Sequence, residues 1–453
     1  MTAPARTASY QALRAVTLDR ADLPTALHQS RRQLSDERDR SLAAEIVTGA
    51  LRWQRSLDHL IEHFAKRRLT RLDPEVVAIL RMSLYQILHL DRVPASAVVD
   101  DAVDLTRAAR KPSASGFVNA VLRSTLRQRH KLPLPPRPED PKNREAALAY
   151  LGITHSHPEW LVARWLDRYG FDEAERWVQF NNATPPLTLR VNRLRATREV
   201  AAAALAADGV ETYPARYAPD GLIVSSGNPL RRPADGRILV QDEASQLISL
   251  VVAARPRERV LDLCASPGGK TTAMAADMED SGAIIACDVR PRRLALLQET
   301  VRASGAAHVT VVRVPAAGSL PFAPRFDRVL VDAPCSGLGT VRRDPDIRWR
   351  RREQDLVTFA RDQVALLSRA SGVVKPGGRL VYATCSSEPE ENEQVVDTFL
   401  TEHPECTIVH PGAGNDPRLA PFIDAGGMFR TSPSVHGLEA FFAAMIIKST
   451  KKD

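Results

Sequence analysis

Residues 259–270 read RVLDLCASPGGK, and this stretch decides the fold of the larger part of the chain. A short apolar run leads into a loop of small residues, and helical spacing follows, so the stretch predicts a strand, a tight loop and a helix. Further strand-like runs, mostly separated by helical stretches, follow at 283–289, 309–314, 328–334, 379–385 and 440–448. Because strands alternating with helices form βαβ units, residues 237–453 are predicted to form an α/β domain with a doubly wound, mainly parallel sheet.

The loop from Asp262 to Lys270 lies where such a sheet binds nucleotides, at the carboxyl end of its first strand. A phosphate-binding P-loop would need a glycine where Cys264 stands. The glycine-rich loop of methyltransferases instead has an acidic residue followed by three small positions, which are filled here by Asp262, Cys264, Ser266 and Gly268. Asp288 ends the next strand, where an acidic side chain binds ribose hydroxyls. Loop and strand tip together indicate an adenosine-containing ligand, against the plainer alternative of a tight turn with a helix cap.

Two cysteines follow the ends of two predicted strands. Cys335 stands in Asp332-Ala-Pro-Cys-Ser-Gly, and Cys385 follows Tyr-Ala-Thr. If the strands are neighbours, both thiols lie at the edge of the sheet where chemistry takes place. A lone cysteine is usually a small buried apolar residue. That interpretation suits Cys264, Cys287 and Cys406 better than it suits two cysteines at adjacent strand ends.

The composition is that of a globular protein with a moderate basic excess. The 453 residues include 62 Lys and Arg against 54 acidic residues, a net charge of +8, which suits a polyanionic partner without proving one. The five cysteines form no CxxC pair, so neither a disulfide framework nor a metal site is expected. No signal sequence or long apolar run is evident, which predicts a soluble, cytoplasmic protein.

The first 236 residues differ in pattern from the rest. Residues 1–131 repeat apolar positions at helical spacing, and Asp73 followed by Pro74 predicts a capped helix start. A proline-rich linker spans 132–144, because proline cannot continue a helix. Residues 145–236 mix helices with short strands and are predicted to form a small α+β module. The chain is therefore expected to be multidomain, with an all-α N-terminal domain, an α+β module and an α/β domain.

The motifs in this chain resemble those of the RNA cytosine-5 methyltransferases. The resemblance is carried by DLCASPGGKTT from 262, DAPCSGLG from 332, RRDPDIRW from 342 and YATCSSEPEENE from 382. TGALRW, ILRMSLYQIL and GFVNAVLR in the first 131 residues resemble the antitermination factor NusB. Together these features are similar to the bacterial Sun/Fmu family of ribosomal RNA methyltransferases. The resemblance covers nearly the whole chain and implies a NusB-like RNA-binding domain and a Rossmann-like methyltransferase domain.

The resemblance also implies roles for individual residues. Cys385 would be the nucleophile and Cys335 would help to release the product, a ranking that spacing alone leaves open. S-adenosylmethionine would be bound by Cys264, Ala265, Ser266, Pro267, Gly268, Gly269, Lys270, Asp288 and Asp332. One departure is that the segment from Arg313 to Gly318 lacks the Asp that the family carries near the adenine. A second, minor departure is Glu439-Ala440, where the family commonly has Asp-Gly.

The chemistry of cytosine fits these residue types. Carbon 5 becomes nucleophilic only after a thiolate adds at carbon 6, so the reaction needs covalent catalysis by a cysteine. Asp332 is placed to act as an acid near N3 of the ring. Lys270 could lower a thiol pKa electrostatically.

Basic and aromatic residues after the Pro-Cys sequence predict contact with RNA, since Arg and Trp pair with phosphates and stack on bases. The predicted contacts are Arg342, Arg343, Arg348, Trp349 and Arg350. A solvated basic helix start is the plainer alternative. The expected partner is small-subunit ribosomal RNA, free or in an early assembly particle, bound by a monomer. The target base would have to be unpaired or flipped out.

Three other functions remain as alternatives. An amino- or amide-methyltransferase would carry Asn/Asp-Pro-Pro-aromatic after the fourth strand, where this chain has Asp332-Ala-Pro-Cys335. An RNA-binding factor with a vestigial enzyme domain would not need both cysteines. A P-loop NTPase is disfavoured by Cys264.

Overall fold

A computed structural model describes residues 2–231, 235–409 and 416–450. The chain forms two compact units. The helical unit comprises the chain up to Thr184 together with Val341–Glu353, and the sheet unit comprises Pro185–Thr340 and the chain from Gln354 onward. None of the helices in the described ranges is long and apolar enough to cross a membrane.

Residues 2–131 are mainly helical, as their spacing predicts, and three more α-helices lie between Arg144 and Asn182. The helices are α1 (Pro4–Thr17), α2 (Leu23–Gln33), α3 (Glu37–Arg52), α4 (Gln54–Ala65), α5 (Pro74–His89), α6 (Ala95–Ala108), α7 (Ser115–Arg127), α8 (Arg144–Ala149), α9 (Glu159–Tyr169) and α10 (Phe171–Asn182). One apolar core joins α1 to α7 through residues such as Leu13, Ile46 and Ile79. Pro74 begins α5, as predicted. Asp73 makes no side-chain cap and instead pairs with Lys111 at 2.9 Å.

A small antiparallel sheet follows. Its elements are β1 (Thr188–Val191), α11 (Arg198–Ala207), β2 (Glu211–Pro214), β3 (Gly221–Ser226) and β4 (Ile238–Val240), with strand order β2-β3-β1-β4. The α+β character of this region is confirmed. The compact units nevertheless divide the predicted 145–236 module after Thr184, because α8 to α10 belong to the helical unit while the small sheet belongs to the sheet unit.

The remaining elements form the larger sheet and its helices. They are α12 (Glu243–Val252), β5 (Arg259–Asp262), α13 (Gly269–Asp277), β6 (Ala283–Asp288), α14 (Pro291–Ser304), β7 (Val309–Arg313), β8 (Phe326–Asp332), α15 (Ile347–Arg350), α16 (Asp355–Ser371), β9 (Val374–Thr384), α17 (Glu393–Glu402), β10 (Cys406–Ile408), β11 (Phe429–Arg430), α18 (Pro433–His436) and β12 (Phe442–Lys448). Of these, α15 belongs to the helical unit.

The larger sheet confirms the predicted doubly wound α/β fold. Its order is β10-β12-β9-β8-β5-β6-β7, with β11 paired to β12. Strands β5 to β9 run parallel, and β12 is antiparallel to β9. Apolar clusters cover the strands with their helices. The strand order reverses between β5 and β8, so a crevice is expected at their carboxyl ends.

Candidate active site

The two cysteine loops come together because β8 and β9 are neighbours. Asp332 pairs with Ala383 near the ends of these strands, so the loops that follow leave the sheet side by side. The Sγ atoms of Cys335 and Cys385 lie 3.2 Å apart. Gly339 permits this approach, since a Cβ atom there would lie 2.0 Å from the Ala440 carbonyl oxygen. The sheet therefore places two thiols at one point, as their positions at strand ends predict.

The two thiols are electrostatically unequal. The hydrogen bond to Cys385, burial, and the negative charges of Cys385 and Glu391 raise the pKa of Cys335 well above its usual value. Cys335 is therefore a thiol at neutral pH, and its S–H can donate to the Cys385 sulfur.

Lys270 and Asp332 form a buried ion pair beside these thiols. Lys270 Nζ donates to Asp332 Oδ2 at 2.8 Å, and the ammonium lies 5.7 Å from the ring centroid of Phe441. Burial by itself lowers the pKa of Lys270, but Asp332 and then Cys385 more than offset this, so its pKa is raised. A lysine that stays charged next to Cys385 favours a thiolate there.

The loop between β5 and α13 has the features that a nucleotide-like ligand needs. Gly268 has φ of 109°, a left-handed conformation that an L side chain rarely adopts, and α13 begins at the next residue. Asp262 is buried, and Thr271 Oγ1 donates to its Oδ2 at 2.6 Å. Its Oδ1 has no hydrogen-bond partner among the described residues. Burial raises the pKa of Asp262 to about 7. This unpaired, buried Asp262 oxygen lies beneath the glycine loop and could accept a hydrogen bond from a ligand that carries a donor group.

Other members of the predicted cofactor set lie around the same loop. Cys264 belongs to the apolar packing beneath it, and burial raises the pKa of its thiol. Ser266 Oγ donates to the carbonyl oxygen of Arg293, whose guanidinium donates back to the Ser266 carbonyl oxygen. Asp288 ends β6 and forms an ion pair with Arg293, with Nε and Oδ2 3.1 Å apart. The carboxylate predicted to bind ribose is thus held at the strand tip.

The segment that lacks the family's Asp is held by its backbone. Arg369 on α16 donates to the carbonyl oxygens of Pro315, Ala316 and Gly318 at 2.8, 3.0 and 2.6 Å. These bonds fix the path of the loop after β7. Residues 313–318 contain no carboxylate, so this loop cannot contact an adenine through an acidic side chain.

The sequence pattern did not identify two residues that support the site. Arg190 on β1 donates to the Gly269 carbonyl oxygen at 2.6 Å and to Thr272 Oγ1 at 2.7 Å, so the small sheet braces the start of α13. Glu391 is fully buried and accepts hydrogen bonds from both cysteine loops. Arg190 lies in a strand without a recognisable motif, so its sequence context does not predict its contact with α13. The acidic residues after Cys385 were the one sequence feature that could have pointed to Glu391, and they pointed to it only weakly.

The basic segment after Cys335 does not behave as one RNA-contacting surface. Arg348 is 0% exposed. Its guanidinium donates to the Ser156 carbonyl oxygen at 3.1 Å and to Asn182 Oδ1 at 3.0 Å, within the helical unit. The prediction that Arg348 contacts RNA is therefore wrong for this structure, because a buried guanidinium has no free surface. Trp349 is partly buried and donates from Nε1 to the Leu51 carbonyl oxygen at 2.6 Å.

The other residues of this segment keep some exposure. Arg342 stacks 4.3 Å from the ring centroid of Phe180 and donates to the Thr184 carbonyl oxygen at 2.9 Å. Arg350 is exposed and pairs with Asp19 at 3.2 Å. RNA contact by Arg342, Arg343, Trp349 and Arg350 stays a prediction.

Replacing Arg348 with Met is expected to lower the free energy of unfolding by about 3 kcal/mol, because several buried acceptors lose their donor. Urea unfolding of the full chain measures this loss. Arg32→Met, at an exposed position on α2, is the matched control and should unfold like the wild type. Wild-type stability combined with weakened RNA binding in the Arg348 variant would restore the RNA-contact interpretation.

Comparison with known protein families gives three matches along the chain. Residues 249–447 match the family described as 16S rRNA methyltransferase RsmB/F. Residues 3–127 match the NusB family, and residues 157–231 match an RsmF/B-like, ferredoxin-like domain. The three matches follow the order of the helical unit, the small sheet and the larger sheet.

Known relatives match over most of their length. The chain is 34% identical over 424 residues to the probable ribosomal RNA small subunit methyltransferase B of Bacillus subtilis, covering 92% of each protein. It is 34% identical to the ribosomal RNA small subunit methyltransferase B of Pseudomonas putida, covering 88% of this chain and 89% of that protein. The crystal structure of a protein called PH0851 superposes with a TM-score of 0.80 at 28% identity, covering 99% of this chain and 100% of that one.

Proposed function

The chain belongs to the 16S rRNA methyltransferase RsmB/F family, and on that premise we propose that it methylates carbon 5 of a cytosine in small-subunit ribosomal RNA through a covalent adduct on Cys385. It is an S-adenosylmethionine-dependent methyltransferase, as its family is. The observation that carries the proposal is the pair of thiols 3.2 Å apart beside the ion pair of Lys270 and Asp332. Enzymes that methylate exocyclic amines or amides have no need of such a pair.

Cys385 begins the proposed reaction. Its thiolate forms a bond from Sγ to carbon 6, and the π electrons of the C5–C6 bond move towards N3. N3 takes up a proton through Asp332, and that proton comes from the Lys270 ammonium that donates to this carboxylate. Carbon 5 is then enamine-like. The loop from Cys264 to Lys270, with Asp288 and Asp332, would hold S-adenosylmethionine, which would supply the methyl group that carbon 5 takes up. Lys270 favours the thiolate before attack and again when Cys385 leaves.

Cys335 acts after carbon 5 has been methylated. Once Cys385 is bonded to carbon 6, its sulfur is a weaker hydrogen-bond acceptor and carries no charge. Two of the causes that raise the pKa of Cys335 are then reduced, while burial and Glu391 remain. Cys335 can then release its proton to solvent and, as a thiolate, take the proton from carbon 5. The electrons of that C–H bond re-form the C5–C6 double bond, and the Sγ–C6 bond breaks. N3 gives its proton back through Asp332 to Lys270, and the ring is restored with its new methyl group.

Tritium release tests the position of methylation. Small-subunit ribosomal RNA made with tritium on carbon 5 of its cytosines is incubated with the protein and S-adenosylmethionine. Methylation at carbon 5 should release one tritium to water for every methyl group transferred, because that hydrogen is the one replaced. Large-subunit ribosomal RNA serves as the substrate control. Methyl incorporation without tritium release would place the reaction at another atom and refute the proposal.

A further inference from the structure

The two cysteine loops continue past the last paired residues of β8 and β9. There a buried carboxylate, and no longer the strand pairing, connects the two loops. Strand β8 ends at Asp332 and β9 at Thr384, and their last paired residues are Asp332 and Ala383. Further on, Gly339 N donates to the Cys385 carbonyl oxygen at 2.9 Å. Together with the bond from Ala333 N to the Ala383 carbonyl oxygen at 2.8 Å, this makes two backbone bonds beyond the end of β8, so the separation of the sulfur atoms also depends on side chains.

Glu391 supplies that connection. It is 0% exposed and lies just before α17. Its Oε1 accepts from the backbone N–H of Ser336, next to Cys335, at 2.7 Å, and its Oε2 accepts from the Ser336 hydroxyl at 2.5 Å. The hydroxyl of Ser386, next to Cys385, also donates to Oε2 at 2.5 Å. One carboxylate thus binds the residue that follows each cysteine.

The surroundings of Glu391 hold the carboxylate in place. Gln363 Nε2 on α16 donates to Oε1 at 3.1 Å and to the Pro334 carbonyl oxygen at 3.0 Å. The Tyr382 hydroxyl donates to the Glu391 carbonyl oxygen at 2.6 Å. Asn392 accepts from Thr384 Oγ1 at 2.6 Å and donates to the Ser386 carbonyl oxygen at 3.0 Å. Four hydrogen bonds therefore hold the Glu391 carboxylate in one position, although Gln363 Oε1 has no partner among the described residues.

We propose that Glu391 is a positioning residue that sets the distance between Cys335 and Cys385. The proposal rests on the proposed function, since a fixed separation matters only if both thiols act on one base. Glu391 does not touch the reacting atoms and acts through Ser336 and Ser386. An amide in its place would direct N–H donors at groups that already donate, so the two loops would separate.

Two measurements on Glu391→Gln test the proposal, the rate of disulfide formation and the rate of methyl transfer. In the first, diamide oxidises two thiols that lie close together, so that one S–S bond forms and diamide takes up the two hydrogens. The Cys335–Cys385 peptide, identified by mass spectrometry, should form about 10-fold more slowly in the variant. Methyl transfer should lose about 100-fold in kcat, the scale expected for a displacement of about 1 Å, with KM for S-adenosylmethionine unchanged. Glu402→Gln, an exposed position at the end of α17, removes the same charge and should behave like the wild type.

The direction of the disulfide result is diagnostic. Removing the negative charge of Glu391 makes Cys335 more acidic and so favours faster oxidation, which means that slower oxidation can come only from separation of the thiols. Wild-type rates in both measurements would overturn the proposal. Should Glu391→Gln fail to fold, the double variant Ser336→Ala with Ser386→Ala decides, and wild-type disulfide formation there would also overturn it. The disulfide measurement needs no RNA, so it stands even if tritium release refutes the proposed function.

Discussion

Cys385→Ala is expected to lose methyl transfer by at least about 10³-fold and to form no covalent complex with RNA. An alanine cannot add to carbon 6, and without that addition carbon 5 does not become nucleophilic. Loss of an essential nucleophile costs several orders of magnitude in kcat in enzymes that form covalent intermediates. Cys335, only 3.2 Å away, cannot simply take over, because its loop presents the sulfur from the neighbouring strand.

The measurement uses labelled S-adenosylmethionine with protein-free small-subunit ribosomal RNA, followed by a denaturing gel. Cys406→Ala is the matched control, since Cys406 is buried on β10 at the edge of the sheet and should leave the rate unchanged. An adduct that persists in Cys385→Ala would mean that Cys335 attacks carbon 6. The roles assigned to the two cysteines would then be reversed.

Cys335→Ala is expected to accumulate a covalent protein–RNA adduct that approaches one RNA per protein. The variant keeps the Cys385 nucleophile and the ion pair of Lys270 and Asp332, so addition and methyl transfer proceed. It lacks the thiolate that takes the proton from carbon 5, so elimination of Cys385 stops. Turnover beyond the first methyl group should fall by at least about 100-fold, the contribution expected of a positioned base.

The adduct should survive denaturation and disappear when the RNA is digested with nuclease. The double variant Cys335→Ala with Cys385→Ala is the control and should form none. An adduct in the wild type equal to that in Cys335→Ala would remove any role for Cys335 in release. The absence of both adduct and methyl transfer from every variant and the wild type would favour an RNA-binding protein, or a substrate that exists only in a partly assembled particle.

Much of the fold followed from local patterns. The strand-like runs predicted β5 to β9 and β12, and helical spacing predicted the all-α start of the chain. These predictions held because a buried parallel strand and an amphipathic helix each have a short-range signature. The position of each cysteine just after a strand was equally local. It predicted that Cys335 and Cys385 would meet if the sheet had the expected order, and β8 and β9 are neighbours.

The basic segment after Cys335 shows where local patterns fail. Five residues there were assigned to RNA because arginine and tryptophan favour nucleic acid, but Arg348 is buried among backbone carbonyl groups of the helical unit. Charge and aromatic content say what a side chain can bind. They do not say whether distant parts of the chain have already bound it.

The sequence by itself determined the classes of structure, the glycine loop after β5, and the two strand ends that carry cysteines, because each depends on residues within one or two elements. The tertiary structure alone decided that the hydrogen bond to Cys385 and burial raise the pKa of Cys335, that Glu391 bonds to both cysteine loops, and that Arg190 bonds to the start of α13. These features join residues far apart in sequence, and burial sets their strength. Burial and long-range hydrogen bonds exist only once the chain has folded.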